Sequence, residues 1–181
     1  MKPLEKKSAD EAPLDMLLKP FSSIGHDWML VTAGSGTLRG EWNTMTASWG
    51  GFGVYWNRRV VLCLIRPSRH TWQFAEREPL ISFSFFDDEH KKALQVCGAV
   101  SGRDTDKASA AGLTPVLLEP GAVGFAEARV TLVCRILYKQ DLLKELFLDE
   151  SLLKNYPEGD FHRQYVCEIV SVYAQEREGK K

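Results

Sequence analysis

No apolar run in the sequence approaches the roughly 20 residues a helix needs to cross a bilayer. The opening residues, "MKPLEKKSADEAP", are charged and lack the apolar stretch of a signal peptide, so a cytoplasmic setting is the expectation. There is no excess charge of either sign. The formal net charge is −1, and nothing global argues for nucleic acid or an anionic membrane as a partner. No C-x-x-C pair occurs among Cys63, Cys97, Cys134 and Cys167, which removes the usual zinc and thioredoxin-type patterns. Three of these four lie in apolar or alternating runs, and reduced, buried thiols are the expectation for the cysteines. His26, His70 and His90 stand at no metal-ligand spacing from another His or Cys and are expected at the surface. No Ser/His/Asp or Cys/His pairing can be assembled, which leaves no nucleophilic dyad.

What is present fits one ordinary domain. The chain has 181 residues, 44% hydrophobic and 26% charged, enough for a real core. Residues 1–20 read as a flexible arm, 21–175 as the domain and 176–181 as a polar tail. "WMLVTA" and "RGEWNTMTAS" read as two strands joined by the turn-like "GSG". "RVVLCLI" is a continuous apolar run, as in a strand covered on both faces, and "LISFSFF" is rich in residues that favour strands. In "ARVTLVCRILYKQ", Ala128, Val130, Leu132, Cys134, Ile136 and Tyr138 share one face. "YVCEIVSVYA" is the last strand. Short helices are expected in "SRHTWQFAER", "DEHKKALQVCG" and "GRDTDKASAAG", the last capped by Asp104 and closed at Gly112. "DLLKELFLDESLLKN" is the longest helical candidate. Six strands with small helical connections predict a mainly β fold, a closed or nearly closed antiparallel barrel.

Glycines at 34 and 36 would need a third at 39 for a dinucleotide fingerprint, and that position is Arg39. They read as hairpin turn residues. "IRPSRHT" is more informative. A buried strand ends there and a helix begins, so Arg66, Ser68, Arg69 and Thr71 converge on an end that attracts anions. Guanidinium supplies paired donors suited to phosphate, and the hydroxyls can complete the oxygen shell. The alternative is a Ser cap with two solvated arginines. "CGAVSGRDTDK" is a second loop-to-helix junction, readable also as a capped surface helix, and Lys92 on the helix before it reads as solvated. His162, flanked by Phe161, Arg163 and Tyr165, lines a pocket or sits at the surface. "NTMTASWGGFG" holds no Cys, His, Asp or Glu, and almost no bulky apolar side chain before Trp49.

Taken together, "NTMTASWGGFGVYWNR", "RPSRHTWQF", "HKKALQVCGAVSGRDTDK", "GLTP" and "FHRQYV" resemble, in order, the motifs of the flavin reductase family with the FMN-binding split-barrel fold, particularly its flavoredoxin-like branch. The resemblance spans about Trp28 to Tyr173. It implies a six-stranded antiparallel barrel of Greek-key character, and a homodimer with FMN near the subunit interface. It implies that Asn43, Met45, Thr46, Ala47, Ser48 and Trp49 border the ring and ribityl chain. By the same likeness Arg66, Ser68, Arg69 and Thr71 hold the phosphate, and Ser101, Gly102 and Arg103 close over the cofactor. Lys92 is implied as a further contact, and His162 lies near the open face on the substrate side. Three positions depart from the family pattern: Asn57-Arg58-Arg59 where relatives often have "NRP", Ala108 where many have an aromatic, and His70 where Tyr is common.

Such a protein would leave the chemistry to the flavin and supply orientation and electronics. The apolar wall for the ring would come from Trp49, Phe85 or a partner-chain aromatic. The expected activity is electron transfer from NADH, NADPH or a carrier protein to free flavin, a metal complex or a protein acceptor. The alternatives are a flavin-binding electron-transfer or storage protein without nicotinamide activity, and a barrel-shaped interaction protein whose flavin site has decayed.

Overall fold

The computed structural model describes residues 4–175. The polar tail expected at 176–181 lies outside the described residues. Among those residues, no helix is long and apolar enough to cross a membrane.

One antiparallel sheet of eight strands dominates. Its strands are β1 (Leu4–Ser8), β2 (Met29–Gly34), β3 (Trp42–Ala47), β4 (Gly50–Tyr55), β5 (Arg58–Ile65), β6 (Leu80–Phe85), β9 (Val130–Asp141) and β10 (Arg163–Gln175). A separate hairpin pairs β7 (Pro115–Leu118) with β8 (Ala122–Phe125). Four short α-helices intervene among the described residues: α1 (Leu14–Leu17), α2 (His70–Ala75), α3 (Lys91–Ala99) and α4 (Lys107–Ala111). Neighbouring strands run β3-β2-β6-β9-β10-β5-β4, and β1 adds to the far half of β10, from Ser171 to Gln175. The ends of this path, β3 and β4, are consecutive in the chain and joined by Ser48 and Trp49.

All six strands read from the sequence are present, and the pairing of β2 with β3 is the predicted hairpin. Period-two patterning explains the layers. Met29, Val31 and Ala33 of β2 face a core shared with Phe83, Leu132, Cys134, Tyr165 and Cys167. Leu30 points the other way, with Trp42, Leu94 and Phe125, beneath the helices. Val133, on the opposite face of β9 from Leu132, packs with Leu118, Ala122 and Tyr173 under the β7–β8 hairpin. Burying a side chain such as Phe83 or Leu132 contributes about 2 kcal/mol each. The expected common face of β9 holds from Val130 to Ile136. It ends at a register shift between Val166 and Cys167 of β10, beyond which Tyr138 is exposed and meets Trp56. All four cysteines are free and buried, as expected.

Several local expectations are corrected. Residues 4–18 were expected as part of an arm, yet they carry β1 and α1 and bury Ala12 and Leu18 in the main core. The Arg59 guanidinium pins them by donating to the carbonyls of Ala9 and Ala12. The predicted helix over 141–155 is two short 3-10 turns, Lys144–Leu146 and Glu150–Asn155. Its leucines have no core face to bury, and Leu148 is fully exposed; helices owe most of their stability to such a face. Asp106, not Asp104, caps α4, because it stands three residues before the Ser109 amide it accepts from. Gly112 closes α4 at φ 66°, as read.

One glycine is dictated by geometry. Gly50, at the corner into β4, has φ 153°, and a Cβ there would lie 2.3 Å from the Leu62 carbonyl oxygen. At Gly51 an added Cβ meets only an ordinary contact, 3.8 Å from Leu62 Cδ1. Gly50→Ala is expected to destabilise the fold by about 2 kcal/mol or more, and Gly51→Ala to be near neutral. Urea unfolding of the two variants checks this; equal midpoints would contradict it.

Candidate functional site

A cavity of about 150 Å³ opens where β3 turns into β4. Met45, Thr46, Ala47, Ser48 and Trp49 form one side. Leu64 and Arg66 at the end of β5, with Arg69 and His162, form the other. Five consecutive residues of the segment without catalytic side chains are thus brought against Arg66, Arg69 and His162.

The polar groups divide into those tied into the scaffold and those left for a ligand. The Thr46 hydroxyl donates to the Leu94 carbonyl of α3, and Thr44 and Thr32 share a buried hydroxyl pair at 2.8 Å. The Asn43 amide donates to Thr71 Oγ1 at 2.7 Å, both residues being buried. Gly102 presses on the same amide: a Cβ there would stand 1.8 Å from Asn43 Oδ1. Asn43, Thr71 and Gly102 therefore lock β3, α2 and the 101–103 loop together beside the cavity, and do not line it. Ser101 Oγ accepts from the Arg103 amide, while Arg103 is exposed.

The expected phosphate set splits as well. The Arg66 guanidinium donates to the carbonyls of Asn155 at 2.8 Å and Asp160 at 3.2 Å. It also lies over the Tyr156 ring, 5.0 Å from the centroid. Ser68 donates to the Asp160 carboxylate at 2.5 Å. Both residues hold the 155–160 loop. Arg69 is exposed, and its side chain makes one hydrogen bond among the described residues, to the Gly98 carbonyl at 3.2 Å. The Ser48 hydroxyl is exposed and carries no hydrogen bond among the described residues. α2 has only six residues, so the positive charge at this end belongs chiefly to the guanidinium groups.

Two expectations fail on position. Phe85 is buried inside the barrel against Phe52, away from the cavity, because the inward face of β6 fills the core. Trp49 is the aromatic at the site. Lys92 is exposed on α3 and lies outside the cavity lining. His70 is half-buried, not fully at the surface, and burial with nearby Arg103 lowers its pKa.

Sequence reading missed Lys107 and Tyr156. Lys107 is buried, and its ammonium donates to the carbonyls of Thr44 and Cys97, both at 2.7 Å. It thereby staples α4 and α3 to β3, and burial pulls its pKa down to about 8. The adjacent Cys97 thiol is pushed up to about 11 by burial, which keeps it unreactive. The signal for Lys107 was its place one residue after the Asp106 cap; nothing marked Tyr156 beyond its turn. His162 is buried, with Nδ1 2.9 Å from the Tyr156 hydroxyl and its ring 5.2 Å from that of Trp49. Burial first, and then the Arg66 charge, lower its pKa to about 4.

A family model for the flavin reductase like domain matches residues 21–181. The chain belongs to the flavin reductase-like family. This flavin reductase-like chain matches no curated protein. Solved structures share its split-barrel fold. Flavoredoxin of Desulfovibrio vulgaris is 20% identical, with TM-score 0.65 over 95% of this chain and 78% of that one. The FMN-binding protein from Thermus thermophilus, with bound 1-cyclohex-2-enone, is 20% identical, with TM-score 0.64 over 87% and 77%. The NADH:FAD oxidoreductase of Streptomyces globisporus is 21% identical, with TM-score 0.55 over 87% and 78%.

The buried histidine gives a pH prediction. The unfolded chain takes up a proton near pH 6.5, whereas the folded His162 resists until about 4. Its contribution to stability is present above the unfolded value and is lost as pH falls toward 4. Between about pH 7.5 and 4.5, wild type should lose about 2 kcal/mol more than His162→Gln, at 1.36 kcal/mol per unit. Urea unfolding at both pH values measures this, and equal losses would count against a neutral buried imidazole.

Proposed function

We propose that the cavity between the β3–β4 corner, Arg69 and His162 holds one end of FMN, and that the protein is a flavin-dependent oxidoreductase. The observation that carries the reading is the cavity itself. In a member of the flavin reductase-like family, it gathers exposed backbone and hydroxyl groups, guanidinium and an aromatic, with no acid–base pair. That donor set fits the ligand: Arg69 for the phosphate, Ser48 and the 45–49 backbone for polar edges, Trp49 for an apolar face. A bound flavin would supply the redox chemistry, taking up electrons from a donor and handing them to an acceptor. The chain's own residues bind and orient. Arg69 offers charge, the 101–103 loop held against Asn43 limits how far the site can open, and His162 faces the side from which a donor would come.

The cavity is smaller than the roughly 300 Å³ or more usual for a ligand site, so it encloses only part of such a molecule. This supports a homodimer in which a second copy covers the remainder. The donor is NADH, NADPH or a carrier protein. The names of the related structures, an oxidoreductase using NADH and a flavoredoxin, support each class in turn. The four buried, unpaired thiols suit a cytoplasmic setting.

An absorbance spectrum of the purified protein, with FMN added if needed, should show flavin bands. Anaerobic NADH or NADPH should then bleach them if a nicotinamide is the donor. A colourless protein that also fails to bind added FMN would end this reading. The two arginines should separate. Arg69→Ala is expected to weaken FMN by roughly 10- to 100-fold, the loss of charge-assisted hydrogen bonds, and riboflavin much less. Arg66→Ala should weaken both ligands, because it releases the 155–160 loop. Equal loss of FMN and riboflavin in Arg69→Ala would contradict phosphate recognition by Arg69.

A further inference from the structure

The Tyr156–His162 pair is not needed to hold a flavin, and no spacing pattern in the chain joins them. Tyr156 is buried, stacked on Phe161 with ring centroids 4.7 Å apart and 23° between planes. Phe147 lies against both rings, and the Arg66 guanidinium covers Tyr156. The phenol is therefore fixed in place, and its hydroxyl meets His162 Nδ1 at 2.9 Å. Tyr156 is not part of the cavity lining, whereas His162 is. Nδ1 thus points away from the cavity, and Nε2, which makes no hydrogen bond among the described residues, is the ring nitrogen left for a ligand.

The direction of the hydrogen bond follows from what each arrangement leaves unpaired. If Nδ1 carried the proton, the phenol would accept it and its own O–H would need another acceptor. None is found for it among the described residues, and a buried unpaired donor is costly. If the phenol donates, its proton is used and Nδ1 serves as acceptor. The proton of the neutral ring must then sit on Nε2.

We infer that Tyr156 is a positioning residue that fixes His162 as the neutral Nε2–H tautomer and so aims a hydrogen-bond donor into the cavity. This goes beyond the flavin reading and rests on it only for what the donor meets: an acceptor atom, carbonyl oxygen or ring nitrogen, of the bound flavin. His162 acts as a fixed dipole and not as a general acid at neutral pH. The charges around it agree. Arg66 and Arg69 oppose protonation, and only Asp160 favours it, with its carboxylate already accepting from Ser68. A neutral ring is also the form the burial of His162 favours.

Nitrogen-15 NMR of the histidine rings in the full chain without ligand tests the inference, with His162→Gln used to assign its signals. Wild type should show His162 as one tautomer, Nε2–H, unprotonated from about pH 8 down to about 5.5, where an ordinary histidine titrates. Tyr156→Phe keeps the aromatic stack and removes the donor; it should give a mixture of tautomers and a ring that protonates at higher pH. An Nδ1–H tautomer in wild type overturns the inference, as does protonation near pH 6.5, or a Tyr156→Phe ring unchanged from wild type. Should that variant fail to fold, the wild-type ring decides alone, since an Nδ1–H form cannot accept from the phenol. FMN is then added. Movement of the Nε2 signal supports a donor facing the flavin site. FMN that binds without moving it overturns that orientation and leaves the flavin reading standing, whereas no FMN binding at all overturns the flavin reading and leaves the tautomer standing.

Discussion

The strand path begins and ends with two strands that are neighbours in the chain. β3 and β4 sit at opposite ends of the sheet, yet only Ser48 and Trp49 separate them. Three consecutive peptide links reach about 11 Å at most, so the sheet has to curl until its ends meet. The curl encloses the main core, and no ladder pairs β3 with β4. What remains is a seam in a barrel, with backbone at its mouth that is not consumed by sheet pairing. The cavity lies at that seam. Gly50 makes the turn possible, because any side chain there would strike the Leu62 carbonyl.

A seam of this kind is useful only if its walls do not collapse into it. Most hydroxyl and amide groups around the cavity serve that purpose. Thr46 ties β3 to α3, Asn43 ties it to α2, and Lys107 ties it to the ends of α3 and α4. Arg66 and Ser68 hold the loop that delivers His162. The contacts that a ligand could use are then few: Ser48, Arg69, the 45–49 backbone, the Trp49 face and Nε2 of His162. A site with many polar residues nearby and few available ones is rigid, and rigidity lets a small number of contacts fix an orientation.

How much of this was legible depended on whether a residue's role is local. Strands with a clear period of two, such as Val130 to Ile136, were readable because burial repeats along the chain itself. Gly112 was readable because a helix end calls for positive φ. The 43–49 segment and the "RPSRHT" turn were readable as a candidate site through their joint resemblance to a family, and residues of both line one cavity. The division of labour inside them was not. Whether Arg66 faces a ligand or a carbonyl depends on a loop about 90 positions away in sequence. Phe85 was misassigned for a similar reason: strand alternation gives two faces, and only the sheet's closure says which one is the barrel interior. The 141–155 stretch misled because leucine-rich helical patterning was present without a surface to bury it.

The same loop explains why a single histidine can matter in a site without a catalytic pair. Leu142 donates to the His162 carbonyl, extending the ladder that pairs Arg163 with Asp141, so His162 is anchored by the sheet at its backbone. Its side chain is anchored separately by Tyr156, and Tyr156 in turn by two aromatic rings and a guanidinium. Backbone and ring are thus fixed by different parts of the molecule, which leaves one ring nitrogen without a hydrogen bond among the described residues and one direction for it. Where the redox chemistry belongs to a bound group, the protein's contribution is the placement of donors and charge around that group. A neutral N–H held in a low-dielectric wall keeps its direction without reorganising when charge develops nearby. The arrangement at His162 has that character, and it follows from packing alone.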